Sequence, residues 1–325
     1  MNKIKILELF GGIGACSKAL ERLGIDYEIA DYVEIDKYAV KSFNAIHNTN
    51  FEPQDICEWD KDIDVDLIMH GSPCQDFSLA GKQAGGDKDS GTRSSLMYET
   101  IRIVEKLKPK YVIWENVKNL LSKKHRNNFD AYLETMEQLG YTNYYQVLNA
   151  KDYGIAQNRE RVFTISIRND LNQTFVFPPK QELKLKLKDM LEDEVDDSFY
   201  WNKLSIDELR KLDIDDITFK WNSKVKRFVF NEKIDLNMTY SLNAYNNSVS
   251  CIHHTITTPH NVLFILHKCK IRKLTPKECW RLMGFDDEDF EKASQVNSNT
   301  QLYKQAGNSI CVPVLIAILN NLLNN

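Results

Sequence analysis

The stretch Ile4-Lys-Ile-Leu-Glu-Leu-Phe-Gly-Gly-Ile-Gly14 predicts a buried strand that runs into a glycine-rich turn. A helix is predicted from about Ala15 to Leu23, because Gly24 is a common helix stop. The next predicted strand, from Tyr27 to Val33, is followed by Glu34, roughly 20 residues after the glycines. This order of strand, glycine turn, helix, strand and acid favours a parallel α/β sheet that binds a nucleoside-bearing cofactor.

The glycine turn leaves alternatives open. It departs from the Gly-x-Gly-x-x-Gly pattern because Ser17 takes the place of the third glycine, and a plain tight turn would have the same composition. The third glycine serves close helix packing in dinucleotide sites, so its absence weighs against a pyrophosphate ligand. S-adenosylmethionine, a nucleoside without phosphates, fits better, and a nicotinamide dehydrogenase is the rival interpretation of this segment.

A second stretch, Asp66-Leu-Ile-Met-His-Gly-Ser-Pro-Cys74-Gln-Asp-Phe-Ser78, places a cysteine directly after a short apolar strand. Cys74 therefore lies at the carboxyl edge of the predicted sheet, where ligands bind in open parallel α/β folds. An isolated cysteine is more often a small buried hydrophobic residue, and a nucleophile is the alternative. The strand predicted from Tyr111 to Trp114 presents Glu115 in the same topological position, so both side chains could face one crevice.

Basic residues accompany these candidates. The loop after Cys74 holds four of the thirteen glycines and three basic residues, which is typical either of a lid over a charged substrate or of a solvated surface loop. Farther on, Arg159 and Arg161 are two residues apart, so on an extended backbone their side chains point the same way.

The composition is that of an ordinary globular protein, with 325 residues and a formal net charge of −4. The seven cysteines include no Cys-x-x-Cys pair, and the histidines from His253 to His267 fit no zinc spacing. We therefore predict neither a disulfide framework nor a metal site. The longest apolar runs are too short to cross a bilayer, and no signal peptide is recognisable, so we expect a cytoplasmic protein without a membrane partner.

Eight short blocks occur in one order along nearly the whole chain, and together they resemble the bacterial and phage DNA (cytosine-5) methyltransferase family. The blocks are Phe10-Gly-Gly-Ile-Gly14, Glu34, Asp55-Ile56, Gly71-Ser-Pro-Cys74-Gln75, Glu115-Asn116-Val117, Gln157-x-Arg159-x-Arg161, Arg272-Lys-Leu-Thr-Pro-Lys-Glu-Cys-Trp-Arg-Leu-Met-Gly-Phe285 and Gln305-Ala-Gly-Asn308-Ser309. The resemblance implies an α/β fold: a Rossmann-like S-adenosylmethionine-dependent methyltransferase sheet with a smaller target-recognition domain.

The resemblance also implies roles for individual residues. Cys74 would be the nucleophile, with the target base held by Glu115, Arg159 and Arg161. The cofactor S-adenosyl-L-methionine would be bound by Phe10, Gly12, Gly14, Glu34, Ile35, Asp55, Ile56, Pro73, Leu96, Asn308 and Ser309. DNA would be contacted by Gln75, Ser78, Thr257, Arg272 and Lys273, the last two within a dense basic run.

The weak nucleophilicity of cytosine carbon 5 explains these residue types. Addition of a thiolate to carbon 6 makes carbon 5 enamine-like, so one difficult step becomes two easier ones. Glu115 would bond ring nitrogen 3, and a guanidinium, for which we favour Arg161, would bond the exocyclic oxygen. The reaction cannot occur inside a stacked duplex, so the base must be flipped out.

The sequence changes character after Pro178-Pro179, where charge runs typical of solvated surfaces begin. A polar segment with aromatic residues follows, which suits groove contacts. We therefore predict a catalytic and cofactor-binding domain of residues 1–178 and 299–325, and a target-recognition domain and hinge of residues 179–298. The triplet Thr255-Ile256-Thr257 resembles the closing element of the recognition region in this family.

The predicted enzyme methylates carbon 5 of cytosine at a specific site in double-stranded DNA, and we expect a monomer in the bacterial cytoplasm. It would belong to a restriction-modification system, with a cognate restriction endonuclease acting separately, or serve a phage. One alternative is a tRNA cytosine-5 methyltransferase, although the Cys-Phe-Thr triplet typical of that branch does not occur in the recognition region. The other is a catalytically idle DNA-binding relative.

Overall fold

The computed structural model describes residues 3–72, 96–200, 238–243, 248–256, 263–268 and 270–324. The strands of its first half are β1 (Ile4–Leu9), β2 (Tyr27–Val33), β3 (Leu67–His70), β4 (Tyr111–Val117), β5 (Tyr141–Asn149), the short β6 (Gln157–Asn158) and β7 (Glu160–Arg168). Six of them form one sheet in the order β2-β1-β3-β4-β7-β5. Strands β1 to β4 are parallel, and β7 is antiparallel to both β4 and β5.

The helices are α1 (Ala15–Leu23), α2 (Lys37–His47), α3 (Met97–Leu107), α4 (Arg126–Gln138), α5 (Pro276–Arg281), α6 (Asp287–Ser294), α7 (Asn299–Asn308) and α8 (Val312–Leu323). Short 3-10 helices cover Lys118–Leu121, Ala150–Tyr153, Asn169–Leu171, Leu187–Met190 and Asp197–Phe199.

Both faces of the central sheet are buried, because strand side chains alternate between them. Ile6, Met69 and Ile113 face one apolar cluster, which α1 and α8 complete. Leu7 and Trp114 face a second cluster, which α3 and α4 complete. A mainly parallel sheet with an antiparallel edge, covered by helices on both faces, confirms the predicted fold class.

The predicted and observed elements agree closely in the first part of the chain. Helix α1 and strand β2 have the predicted bounds. Strand β4 is longer than predicted: it continues to Val117, because β7 pairs with it as far as Val117 and Arg161. The sequence predicts Glu115 just past the end of this strand. In the structure Glu115 lies within the strand.

The second half contributes a smaller antiparallel sheet. It consists of β8 (Tyr240–Asn243), β9 (Ser248–Ser250), β11 (Leu263–His267) and β12 (Lys270–Arg272), in the order β12-β11-β8-β9. The short strand β10 (His253–His254) pairs in parallel with β6 of the first half. The chain thus returns from the smaller sheet to the edge of the catalytic region at residues 253–256.

Within the described residues, one segment, Asn299–Leu323, is long and apolar enough to cross a membrane by length and composition alone. It comprises two helices, α7 and α8, and half of its apolar window is buried inside the protein. Since core helices of globular proteins pass the same test, this composition is weak evidence for a membrane. The packing of α8 against α1 assigns the segment to the core.

Candidate active site

The glycine turn after β1 leaves open space at the carboxyl edge of the sheet. Gly12 has φ +56° and Gly14 has φ +80°, values that favour glycine. A side chain at Gly14 would collide with His47, whose Nε2 lies 2.2 Å from the position of an added Cβ, whereas nothing lies within 4 Å of an added Cβ at Gly12. The space in front of Gly12 can therefore hold a ligand. Phe10, just before the turn, also has a positive φ of 53°.

Glu34 follows β2 and reaches back to this turn. One carboxylate oxygen accepts a hydrogen bond of 3.1 Å from the Gly12 backbone amide, and the other accepts one of 2.9 Å from the Asp36 amide. Burial raises the pKa of Glu34. A carboxylate has about four lone-pair sites, so it can still accept bonds from ligand hydroxyl groups. Ile35 beside it is 67% exposed, an unusual state for a large apolar residue.

The loop that contains Asp55 and Ile56 lies next to Glu34, because the Gln54 amide donates a hydrogen bond of 2.9 Å to the Glu34 carbonyl oxygen. Ile56 is buried in the same apolar cluster against which Phe10 and Leu96 pack. The structure thus brings these predicted cofactor residues to one edge.

Glu115 and Arg161 form an ion pair between β4 and β7. The Nε atom of Arg161 lies 3.0 Å from Oε1 of Glu115, and Glu115 is only 9% exposed. Burial raises the pKa of the Glu115 carboxyl, and the positive charges of Arg161 and Arg159 partly oppose that effect. This carboxyl therefore takes up a proton more readily than an exposed glutamate does.

Arg159 has different partners. Its guanidinium is 3% exposed and donates to three backbone carbonyl oxygens: Nη1 to Ile256 at 3.0 Å, and Nη2 to Gly307 at 3.1 Å and Ser309 at 2.9 Å. The bonds to Gly307 and Ser309 hold the segment that contains Asn308 and Ser309 at the carboxyl edge of the sheet. Arg161 is the guanidinium that pairs with Glu115.

The end of β3 lies against Glu115. An added Cβ at Gly71 would be 3.9 Å from Oε2 of Glu115. The Ser72 hydroxyl accepts a hydrogen bond of 3.0 Å from the Trp114 indole, and the Ser72 carbonyl accepts one of 3.5 Å from the Asn116 amide. These bonds anchor the strand that leads into Cys74. Neither Ser72 nor Trp114 was predicted from the sequence; their only signal was a position next to the predicted nucleophile and Glu115.

Several predicted site residues lie outside the described part of the chain. They are Pro73, Cys74, Gln75, Ser78 and Thr257.

The predicted DNA contact of Arg272 is wrong. Its guanidinium is 2% exposed and is paired with the buried Glu278 through two bonds of 2.6 and 2.7 Å. Glu278 attracts Arg272 into the interior, where a phosphate cannot reach it. Two other residues of the basic run, Lys277 and Arg281, pair with Asp287. Lys273, in contrast, is exposed.

A cleft of about 610 Å³ opens beside Arg161. Its walls come from the segment after β4, from β6 and β7, and from the returning segment near Thr255; the lining residues are Val117, Lys118, Asn119, Leu121, Ser122, Asn158, Glu160, Arg161 and Thr255. The lining combines apolar surface with amide and hydroxyl groups that can donate hydrogen bonds. Arg161, whose guanidinium pairs with Glu115, is one of the residues that line this cleft.

The family model for the C-5 cytosine-specific DNA methylase matches residues 4–324. The chain belongs to this family. This methylase is 35% identical over 382 residues to the type II methyltransferase M2.ScrFI of Lactococcus lactis subsp. cremoris, with 99% of each chain covered. It is 32% identical over 435 residues to the orphan methyltransferase M.SPBetaI of Bacillus phage SPbeta, covering 100% of this chain and 98% of the relative.

A crystal structure of a putative DNA modification methyltransferase encoded within an E. coli prophage is similar to this methylase, with a TM-score of 0.69, 19% identity and 99% of each chain covered. At that identity the likeness establishes the fold. The family and the relatives together identify the chain as a DNA (cytosine-5) methyltransferase acting on DNA, and they support this assignment over the tRNA-methylating alternative.

Proposed function

We propose that the protein transfers a methyl group from S-adenosyl-L-methionine to carbon 5 of a flipped-out cytosine at a specific site in double-stranded DNA, through a covalent adduct with Cys74. The observation that carries this proposal is the buried Glu115–Arg161 ion pair of 3.0 Å at the carboxyl edge of the sheet. It lies beside the strand that leads into Cys74.

The carboxyl edge fits the cofactor. Open space in front of Gly12 and the exposed apolar side chain of Ile35 suit a nucleoside, and the Glu34 carboxylate suits ribose hydroxyl groups. The remaining residues of the proposed pocket are Phe10, Gly14, Asp55, Ile56, Pro73, Leu96, Asn308 and Ser309. When bound, S-adenosyl-L-methionine supplies an activated methyl group.

The base-holding residues follow from their environment. Burial favours the protonated form of Glu115, which can donate a hydrogen bond to ring nitrogen 3 and withdraw electrons from carbon 6. Arg161 bonds the exocyclic oxygen. The Cys74 thiolate adds to carbon 6, so carbon 5 becomes enamine-like and gains the nucleophilicity that methyl transfer requires. Arg159 holds the surrounding backbone and belongs to the same base-holding group as Glu115 and Arg161.

We further propose a division of labour. Residues 1–178 and 299–325 perform the chemistry, and residues 179–298 select the site and provide the hinge. Gln75, Ser78, Thr257 and the exposed Lys273 would contact DNA. Exchange of residues 180–270 for the corresponding segment of a relative with another specificity should transfer that specificity. An active exchange variant that still methylates the original site would contradict this division.

The similarity to a type II methyltransferase and a phage orphan methyltransferase supports a role in restriction-modification or phage DNA modification. In this proposal the enzyme acts as a monomer in the bacterial cytoplasm. A cognate restriction endonuclease, where one is present, acts separately.

Methylcytosine sequencing of DNA from cells that express the protein tests the central proposal. We expect 5-methylcytosine at every copy of one short sequence, and none in cells that express Cys74→Ser. Absence of 5-methylcytosine in cells with soluble wild-type protein would overturn the assigned activity. Equal methylation by the Cys74→Ser variant would overturn the covalent mechanism alone.

A further inference from the structure

We propose that Gln157 is a positioning residue that fixes where the target-recognition region re-enters the catalytic domain. This inference rests on the proposed function and adds to it a link between recognition and chemistry. Gln157 lies on β6, two residues before Arg159, and its side chain is fully buried.

The Gln157 amide bridges two separate segments of the chain. Its oxygen accepts a hydrogen bond of 3.1 Å from the backbone amide of Ile256, and its nitrogen donates one of 2.7 Å to the backbone carbonyl of Leu282. Ile256 is at the end of the returning segment, and Leu282 follows α5. One buried side chain therefore ties both segments to β6.

Arg159 completes a clamp around Ile256. Gln157 accepts from the Ile256 amide, and Arg159 donates to the Ile256 carbonyl at 3.0 Å, so both backbone groups of this residue are held by side chains. Two further hydrogen bonds join the same parts of the chain. The His253 amide donates to the Ala156 carbonyl at 2.8 Å, and the Thr255 hydroxyl donates to the Asn158 carbonyl at 2.7 Å.

The clamp has a consequence for specificity. Ile256 precedes Thr257, which we propose as a DNA contact, and Arg159 is two residues from Arg161. In this proposal, residues that select the site and residues that hold the base are thus joined through one residue, Ile256. A shift of Ile256 would misalign a recognised sequence with Glu115 and Arg161, which would slow methylation and weaken the preference for the correct site.

Gln157 differs from Arg159 in one useful respect. Arg159 also binds the carbonyls of Gly307 and Ser309 at the proposed cofactor edge, whereas the Gln157 side chain bonds Ile256, Leu282 and the Met283 sulfur. A change at Gln157 should therefore affect the use of DNA without affecting the cofactor. An effect on the use of DNA without an effect on cofactor binding distinguishes a positioning role from a general structural one.

The test compares Gln157→Met with wild type, because methionine has a similar shape and lacks the hydrogen-bonding groups. Losing buried bonds should lower kcat/KM for DNA by roughly 10- to 100-fold and raise the share of methylation at sites with one wrong base. The dissociation constant of S-adenosyl-L-methionine, measured by calorimetry, should stay unchanged.

The chain offers a matched control in Gln173, which also makes two bridging bonds: 2.8 Å from the Tyr111 hydroxyl and 2.7 Å to the Leu322 carbonyl. Gln173→Met should lower Tm without changing kcat/KM or site discrimination. If Gln157→Met does not fold, Thr255→Val removes the neighbouring bond of the same joint and should weaken discrimination in the same direction.

A folded Gln157→Met variant with wild-type kcat/KM and discrimination would overturn the inference. An equal loss of kcat/KM in Gln173→Met would also overturn it. If Gln157→Met does not fold, a Thr255→Val variant that discriminates between sites as well as wild type would overturn it. Failure of the wild-type protein to methylate any cytosine would instead overturn the proposed function, and this inference with it.

Discussion

The Glu115 carboxylate and the Arg161 guanidinium lie 3.0 Å apart between two antiparallel strands, and both side chains are largely withdrawn from water. Burial raises the pKa of Glu115, whereas the guanidinium favours its ionised form. The two effects oppose each other, so the proton affinity of this carboxyl responds to any change at Arg161. A site that must share a proton with a neutral base benefits from such a balance.

Glu115→Gln should lower kcat strongly while DNA binding persists. The amide keeps the shape and can still donate a hydrogen bond, but it cannot share a proton with ring nitrogen 3. General acid catalysis contributes typically about 10²- to 10⁴-fold, and we expect a loss of kcat in this range, measured by methyl transfer to DNA at saturating cofactor. Glu105→Gln on α3, where Glu105 is exposed and lies outside the cleft, is the control. Wild-type kcat in Glu115→Gln would contradict the role.

Glu34→Ala should weaken cofactor binding roughly 10- to 150-fold, because a hydrogen bond to a charged group contributes about 1.5–3 kcal/mol. Isothermal titration calorimetry with S-adenosyl-L-methionine measures the change. Glu28→Ala provides the control, since Glu28 lies on β2, the strand that Glu34 follows, and is exposed. If the two variants bound S-adenosyl-L-methionine with equal affinity, Glu34 would not be part of the cofactor pocket.

DNA that carries 5-fluorocytosine at the target should trap the enzyme. Turnover requires loss of the hydrogen at carbon 5, and fluorine cannot leave as a cation, so the methylated adduct with Cys74 is stranded. We expect a denaturant-resistant complex that forms only when S-adenosyl-L-methionine is added. Cys74→Ser should abolish it, because a serine hydroxyl is far less ionised than a thiol near neutral pH. A peptide map with the crosslink on another cysteine would refute the assignment.

Alanine substitution of the adjacent residues Arg272 and Lys273 should affect different properties of the protein. Arg272→Ala leaves the buried Glu278 without its ion-pair partner, which should cost roughly 3–5 kcal/mol of unfolding free energy. Lys273→Ala should leave stability nearly unchanged, weaken binding to all DNA sequences alike and reduce the salt slope by about 1. Urea unfolding and salt-dependent DNA binding measure the two effects. Comparable stability of both variants would show that Arg272 is not a buried partner.

Glu8 should make the stability of the catalytic domain depend on pH. Its carboxyl is buried on β1 and accepts hydrogen bonds from the Ser17 amide and hydroxyl. Burial raises the pKa of Glu8 from 4.5 to about 7. The folded state therefore keeps a proton that the unfolded chain releases above pH 4.5, and stability falls as the pH rises through about 7.

The loss should amount to roughly 2–3 kcal/mol of unfolding free energy between pH 4.5 and 8. Glu8→Gln should remove most of it, because an amide does not titrate. Urea unfolding at several pH values measures the slope, with the exposed Glu105→Gln as the control. A slope in Glu8→Gln equal to that of wild type would place the titrating group elsewhere.

The first elements of the fold were predictable because local signals decide them. Gly24 ends α1 with φ +65°, and the apolar run of β2 is bounded on both sides. The extension of β4 to Val117 was not predictable, because it depends on pairing with β7. The burial of Arg272 depends on Glu278, and nothing local distinguishes it from the exposed Lys273. Gln157 was visible in a motif, but its partners, Ile256 and Leu282, lie far away in sequence.

The packing of α8 against α1 has a consequence for biosynthesis. The apolar face of α1, which includes Cys16 and Leu20, is covered by Leu315 and Ile318 in the same cluster. A ribosome makes α1 almost a whole chain length before α8, so the nascent helix waits without its partner. We therefore expect the amino-terminal half to mature only after α8 is made, unlike domains that fold in order during translation. The cofactor edge is therefore completed only once α8 has left the exit tunnel, and the exposed face of α1 is a natural chaperone target until then.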